Sequence, residues 1–255
     1  CAGPFTDLGE PVVAQAAARG VHYLDITNEL AYTYRLRQYH ALAHKTGAAI
    51  VPACGFEVAI ADCAVALLSR NLPTPVNEVN VTYAMSSSGL SIGTRLSGLR
   101  TFATSWLAYR DGKYVGQAPG ASVRRTQINE RTITALAFPS AEVVTIPAHT
   151  RVQTIGVWLA IAGRSARWAT ALMPTISWLL RTPLGWLTAE VFKRIAPPAP
   201  EAVRLRDKWA IKIELRAEDQ TRSQLWTGRD PYGLTAEIVA HAAGKLTAAG
   251  YSASG

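Results

Sequence analysis

Apolar positions along the first seventy residues alternate between two rhythms. Val12, Val13, Ala16 and Ala17 recur at helical spacing between Glu10 and Arg19. Pro11 suits the first turn of that helix and Gly20 the position just past its end. A short apolar run, Val21 to Ile26, follows at once and breaks into Thr27-Asn28-Glu29. A second helical pattern runs from Glu29 to Thr46 and stops at Gly47, with Asn28 as its candidate cap. Ala48 to Cys54 is another apolar run, breaking into Gly55-Phe56, and a helix follows through Ser69 with Asp62 in or near its start. Strand, helix, strand, helix predicts crossovers and a parallel sheet. Cys1-Ala2-Gly3-Pro4-Phe5 reads as a loop ending a strand that is not in view. The segment therefore predicts the second half of a doubly wound α/β domain.

The rhythm changes at Asn71-Leu72-Pro73-Thr74-Pro75, where a domain boundary is placed. From Glu78 to Met85 the pattern alternates. Val79, Val81 and Tyr83 share one face and Glu78, Asn80 and Thr82 the other, as in a half-buried strand. A helix is expected over Ser91 to Trp106, turns at Asp111-Gly112 and Pro119-Gly120, and a polar, mobile connector over Ala118 to Arg131. Further strands are expected at Thr132–Phe138, Glu142–Ile146 and Val152–Ala160, and a hairpin from Trp209–Arg216 and Thr221–Thr227 around Glu218-Asp219-Gln220. Leu234 to Ala248 reads as a final helix. The organisation expected is thus residues 1–72 as a partial doubly wound parallel sheet, 73–230 as a second α+β domain with a mixed sheet, and 231–255 as a C-terminal helix packing back on the first.

Composition narrows the class. At 255 residues and 49% hydrophobic, the chain can bury a sizeable core. The formal net charge of +8 is scattered rather than interleaved with aromatics, which argues against nucleic acid and leaves an anionic ligand or an acidic lipid surface. Cys1, Cys54 and Cys63 form no disulfide scaffold, and no histidine or cysteine pair has metal spacing, so no metal site is expected. A reducing cytoplasm is the simplest compartment. Residues 165–195 are the most apolar part, but Pro174 and Arg181 interrupt a run too short to span a bilayer. Burial against the second-domain sheet or a partner subunit, as in a homodimer, is favoured over peripheral contact with the plasma membrane. The opening on a loop without an initiator Met leads us to expect a fragment whose amino-terminal piece is missing.

Ligands of an open parallel sheet sit beyond the carboxyl ends of its strands. The three opening loops converge there. Gly3 permits close backbone approach, Pro4 stiffens the turn, and Gly55-Phe56 repeats the small-plus-aromatic pairing of Gly3-Pro4-Phe5. Asp25 could meet a ribose hydroxyl, a substrate ammonium or a proton-transfer partner, or simply cap the helix after its strand. Asp62 and Tyr83 are the other catalytic candidates, weighed against a helix-start role and core packing. His22 and Cys54 read as a satisfied strand histidine and a small core residue.

The runs Cys1-Ala2-Gly3-Pro4-Phe5, Gly9-Glu10-Pro11 and Gly20-Val21-His22-Tyr23-Leu24-Asp25-Ile26-Thr27-Asn28-Glu29 together resemble the saccharopine dehydrogenase-like oxidoreductases, whose pattern there is "CAGPF…GEPVV.AC…G.HYLDITGE". Gly55 to Asp62 resembles their "GFDSVPSD", with Gly55, Phe56 and Asp62 matching and Glu57, Val58 and Ile60 departing. Gly93-Thr94 with Ser97 resembles "GT..S", and Asp230-Pro231-Tyr232 with Thr235-Ala236 resembles "DPY..TA".

This resemblance implies a Rossmann-like domain and a nicotinamide-dependent oxidoreductase using NADP, or NAD. Its bacterial branch includes trans-acting enoyl reductases acting on polyketide-derived, lipid-like substrates. Ala2, Gly3, Pro4, Phe5, Asp25, Thr27, Gly55 and Phe56 are the expected cofactor contacts, with Glu29 beside them. The family's Gly-rich phosphate loop should precede Cys1, so these residues alone are expected to bind dinucleotide weakly, and the family's longer carboxyl end implies a second truncation at Gly255. Two alternatives stand. One is a saccharopine dehydrogenase-type enzyme holding an amino acid through Arg95, Arg124 or Arg125. The other is a non-catalytic, membrane-associated protein that keeps the fold.

Overall fold

The computed structural model describes residues 5–72, 75–86, 106–118, 122–161, 175, 178–180, 182 and 201–255. After a single turn, α1 (Phe5–Leu8), helix α2 spans Glu10–Arg19. Its end is set by Gly20 at φ 71°, a left-handed conformation that costs glycine little, with the Gly20 N–H on the Ala16 carbonyl. Strand β1 (Tyr23–Leu24) pairs in parallel with β2 (Ile50–Val51), in the register Tyr23↔Ile50 and Leu24↔Val51. Both strands are shorter than their apolar runs. The helical stretch between them is not one helix but α3 (Leu30–Leu36), a 3-10 turn over Arg37–Tyr39, and α4 (His40–Thr46). Helix α5 (Phe56–Leu68) starts six residues before Asp62, which therefore lies in its interior.

An eight-stranded mixed sheet makes up the larger layer. Its centre is β3 (Val76–Met85), parallel to β8 (Val152–Ile161) and antiparallel to β9 (Lys208–Ala217). Val79, Val81 and Tyr83 of β3 face inward beside Ile211, Ile213 and Leu215 of β9 and Ile155 and Val157 of β8. The apolar face is the one expected, but β3 is not half-buried: Asn80 and Thr82 on its other face are buried too, and Asn80 accepts the Trp158 indole N–H at 2.8 Å. Strand β10 (Gln220–Arg229) completes the predicted hairpin with β9. Strands β4 (Trp106–Arg110) and β5 (Lys113–Gln117) turn at Asp111-Gly112.

Two expectations are corrected here. Residues 142–149 form a helix, α6 (Glu142–His149), not a strand. Val143, Val144 and Ile146 carry a β-branched bias, but all three bury against α5 and the sheet, and that packing overrides local propensity. The stretch expected as a mobile connector contains β6 (Val123–Ile128), paired with β7 (Arg131–Ala137). The helix expected over Ser91–Trp106 lies outside the described residues up to 105, and Trp106 itself begins β4. Almost all of 165–195 lies outside them too, and among the described residues no helix is long and apolar enough to cross a membrane.

One core joins the layers. Leu30, Phe56, Ala61, Ala64 and Val65 from the α3 and α5 side pack with the sheet residues above. After the short turn α7 (Glu201–Arg204) and the hairpin, helix α8 (Pro231–Leu246) returns to α5. Its Thr235 Oγ1 accepts the Phe56 N–H at 3.1 Å, which satisfies an orphan donor in the first turn of α5. The chain's end lies along β2, where Gly255 donates to the Ala48 carbonyl and accepts from the Ile50 N–H.

Candidate functional site

The loops after β1 and β2 meet at the carboxyl edge of the parallel pair, and buried hydrogen bonds fix their shape. Asp25 Oδ1 accepts the Thr27 N–H at 3.0 Å and the Ala53 N–H at 2.9 Å, while Oδ2 accepts the Tyr23 hydroxyl at 2.7 Å. The Asp25 carbonyl accepts the Cys54 N–H. One aspartate thus staples both strand ends, and it holds Ala53 at φ 59°. Burial lifts its carboxyl above the usual aspartate range, although the three hydrogen bonds act the other way. Tyr23 in turn touches the Tyr32 hydroxyl at 2.9 Å, and burial pushes Tyr32 up to about 12.

Side chains along this loop alternate. Asp25, Thr27 and Glu29 are buried, whereas Ile26 is 53% exposed and Asn28 half-buried. Thr27 Oγ1 accepts the Glu29 N–H, and the Glu29 carboxylate accepts the Phe5 and Thr6 N–H groups and the Thr6 hydroxyl. The polar residues expected to line the crevice therefore brace it from inside, and Ile26 and Asn28 face outward. Phe5 packs on Tyr32, with ring centroids 5.7 Å apart. Ala2, Gly3 and Pro4 lie outside the described residues.

Gly55 is the N-cap of α5 in extended conformation. Gly55 is buried, and a Cβ there would lie 3.4 Å from the Ile26 carbonyl and 3.4 Å from Glu57 Oε2, ordinary contact distances, so the two loops meet closely at this point. Phe56 points into the core against Trp209. Tyr83 is buried and donates to the Glu57 carbonyl at 3.3 Å. His22, one residue before β1, accepts the Ala49 N–H through its ring.

Sequence reasoning missed a second set of groups, because it read 142–146 as a strand. The loop from β7 into α6 lies against the end of β1. Asn28 Oδ1 accepts the Ala141 N–H at 2.8 Å and the Ser140 hydroxyl at 2.9 Å; Asn28 caps α6 of the larger layer, not the helix that follows it. Ser140 also bonds Glu142 Oε2. Glu142 and Ser140 are fully buried, and Glu142 Oε1 has no hydrogen-bond partner. Asp62 accepts the Thr145 hydroxyl at 2.9 Å, with His149 Nε2 at 3.9 Å. Burial raises the carboxyls of Glu57 and Asp62, and that of Glu142 further, with Asp62 and Glu57 adding repulsion.

Arg124 is committed to Glu214 at 3.1 Å and approaches Glu78; Arg125 is exposed, and Arg95 lies outside the described residues. A cavity of about 490 Å³ lined by Tyr109, Asp111, Thr150, Arg151 and Gln153 shares no residue with the crevice. Among the described residues no group of His, Cys, Asp and Glu could hold a metal ion.

Fold and site together define an α/β protein in which the loops after two parallel strands meet, with a loop of a mixed sheet bonded against them. Comparison with known proteins carries this further. The chain is similar to saccharopine dehydrogenase-like oxidoreductases and to trans-acting enoyl reductases. It is 28% identical over 164 residues to a probable mitochondrial saccharopine dehydrogenase-like oxidoreductase of Arabidopsis thaliana, covering 57% of this chain and 35% of that one. It is 36% identical over 117 residues to a trans-acting enoyl reductase of Mycobacterium ulcerans, covering 42% and 28%. It is 42% identical over 69 residues to one of Mycobacterium tuberculosis, covering 27% and 16%. The matches thus span about a third or less of these relatives' lengths. No family model matches. Among solved structures, GenD2 from gentamicin A biosynthesis in complex with NAD aligns with 85% of this chain and 51% of its own, at 13% identity and a TM-score of 0.29. A dehydrogenase from Clostridium difficile aligns with 92% and 65%, at 6% and 0.31.

Proposed function

We propose that this chain forms the nicotinamide-side wall of an NAD(P)H-dependent oxidoreductase that reduces an enoyl, lipid-like acyl substrate. The observation that carries the reading is the meeting of the β1 and β2 loops at one edge of the parallel pair, where Asp25 bonds both strand ends. The names of the relatives support the reaction class. The higher identities fall on the enoyl reductases, which favours an acyl substrate. The amino-acid reading asks for free cations, and Arg124, one of its candidates, is paired with Glu214.

The residues present fit a nicotinamide ring. Ile26 offers an exposed apolar surface at the strand end, and Asn28 an amide beside it. When bound, the reduced nicotinamide would supply the hydride. The chain's part is to hold the ring and exclude water, with Asp25 and Glu29 keeping the loop in place from behind. The test is NADPH fluorescence titration of the natural polypeptide that carries this sequence. Saturable enhancement is expected, weakened about tenfold by Ile26→Asp, as loss of one apolar ring contact implies. A flat titration of the unaltered protein would refute the reading.

A further inference from the structure

Asn28 and Glu142 are joined through one hydroxyl, and counting protons along that chain gives a result that distance alone does not. The Asn28 atom that accepts the Ala141 N–H must be its oxygen, because a backbone N–H can only donate. Ser140 therefore spends its single proton on Asn28 Oδ1. Its contact with Glu142 Oε2 can then be a hydrogen bond only if Glu142 donates. An ionised Glu142 would pull the Ser140 proton to itself and leave two lone pairs facing each other at 2.9 Å. The buried Glu142 Oε1, without a hydrogen-bond partner, agrees with this: an orphan oxygen is far cheaper on a neutral acid than on a carboxylate.

With its oxygen held by two donors, the Asn28 amide cannot flip, and its nitrogen is turned the other way. One of its N–H groups is directed toward the Glu57 carboxylate. The second N–H has no partner among the described residues, on a half-buried side chain at the crevice edge. We propose that Asn28 is a carbonyl-recognition residue of the crevice, and that neutral Glu142, acting through Ser140, is the positioning residue that locks its amide with the donors outward. The ligand chemistry is a carbonyl oxygen, of either the nicotinamide carboxamide or the acyl substrate. The assignment of that ligand rests on the oxidoreductase reading; the lock itself does not. In the resembling family pattern this position is glycine, so the device belongs to this chain's own sequence.

The charged groups around Glu142 set its pH behaviour. Glu57 and Asp62 of α5 repel its ionised form, and His149 of α6 lies beyond Asp62. Strand β8 carries no titratable residue. Arg35 of α3 is turned to Glu10 and the Thr6 carbonyl, and Arg110 of β4 to Gln117.

The lock is read directly by NMR of the Asn28 side-chain amide. In the unaltered protein one protected pair of resonances should persist at neutral pH and change as Glu142 ionises. Glu142→Gln, whose amide still donates to Ser140, should keep the pair and abolish the change, whereas Ser140→Ala should remove protection at all pH values. An amide insensitive to Ser140→Ala, or a pH response surviving in Glu142→Gln, would overturn the lock. The ligand is read with Asn28→Asp, which keeps both acceptor contacts and loses the donors. A rise of about tenfold in the NADPH dissociation constant assigns the carboxamide. Unchanged NADPH affinity with a similar rise in KM for crotonyl thioester assigns the substrate oxygen. Neither change, in a protein that binds NADPH, overturns the recognition role. A protein that binds no NADPH refutes the oxidoreductase reading and leaves the lock to the NMR result.

Discussion

Asp25→Ala should be among the most damaging single changes in the smaller layer. The alanine leaves the Thr27 and Ala53 amides without the oxygen that accepts both. Tyr23 is less affected, because its hydroxyl can still donate to Tyr32, 2.9 Å away. A buried donor left unpaired costs roughly 1–3 kcal/mol, so the two amides together predict a loss of about 2–6 kcal/mol. For a protein of this size that is a fall in Tm of about 4–24 °C, at roughly 2–4 °C per kcal/mol. Asp25→Asn isolates the cause. Both amides use Oδ1, so an asparagine that keeps its oxygen there satisfies them, and its NH2 can donate to Tyr23. It should stay within about 1 kcal/mol of the parent. Urea denaturation followed by far-UV circular dichroism reads all three proteins. If alanine costs no more than asparagine, the carboxylate is not the staple and the account of the loop fails.

Two further changes probe the core and the buried acids. Glu142→Gln should flatten the dependence of stability on pH. The folded-state pKa of Glu142 is raised, so its contribution is full below the ordinary glutamate range and is lost as pH rises through the raised value; the glutamine protein should gain on the parent in urea midpoints as pH rises above the ordinary glutamate range. Gly228→Ala should destabilise by about 1–3 kcal/mol in thermal melts, because its Cβ would fall 2.3 Å from Trp209 Cζ2 and push the indole into Phe56.

The chain's own punctuation made part of this fold legible. Helix α2 was readable to the residue because Pro11 and Gly20 mark both ends by backbone constraints that packing cannot alter. The inward face of β3 was readable from the alternation between Glu78 and Met85, but the burial of Asn80 and Thr82 on its other face was not, because polar side chains there read as solvent-facing. Helix α6 was not, since Val-Val-Thr-Ile favours a strand until α5 is there to bury it. The site was half legible. The strand ends and Gly55 could be named, but a period of two assigns residues to two faces without saying which face is inside. Asp25, Thr27 and Glu29 drew attention as polar groups, yet they are the buried set. The Asn28–Ser140 contact joins residues 112 positions apart, and nothing local to either one announces it.

That inversion bears on what the crevice can select. The carboxylates of Asp25 and Glu29 are spent on holding backbone, so among the described residues the surface left to a ligand is Ile26 and the Asn28 amide, with Glu57 close by. Such a surface recognises a flat, uncharged ring by shape and a carbonyl by one or two hydrogen bonds. It would repel a substrate carrying several carboxylates unless cations stood close by. Arg35 braces Glu10 and the Thr6 carbonyl, and Arg124 braces Glu214. An acyl chain with a single polar carbonyl meets no such penalty among the described residues, which supports the proposed acyl substrate.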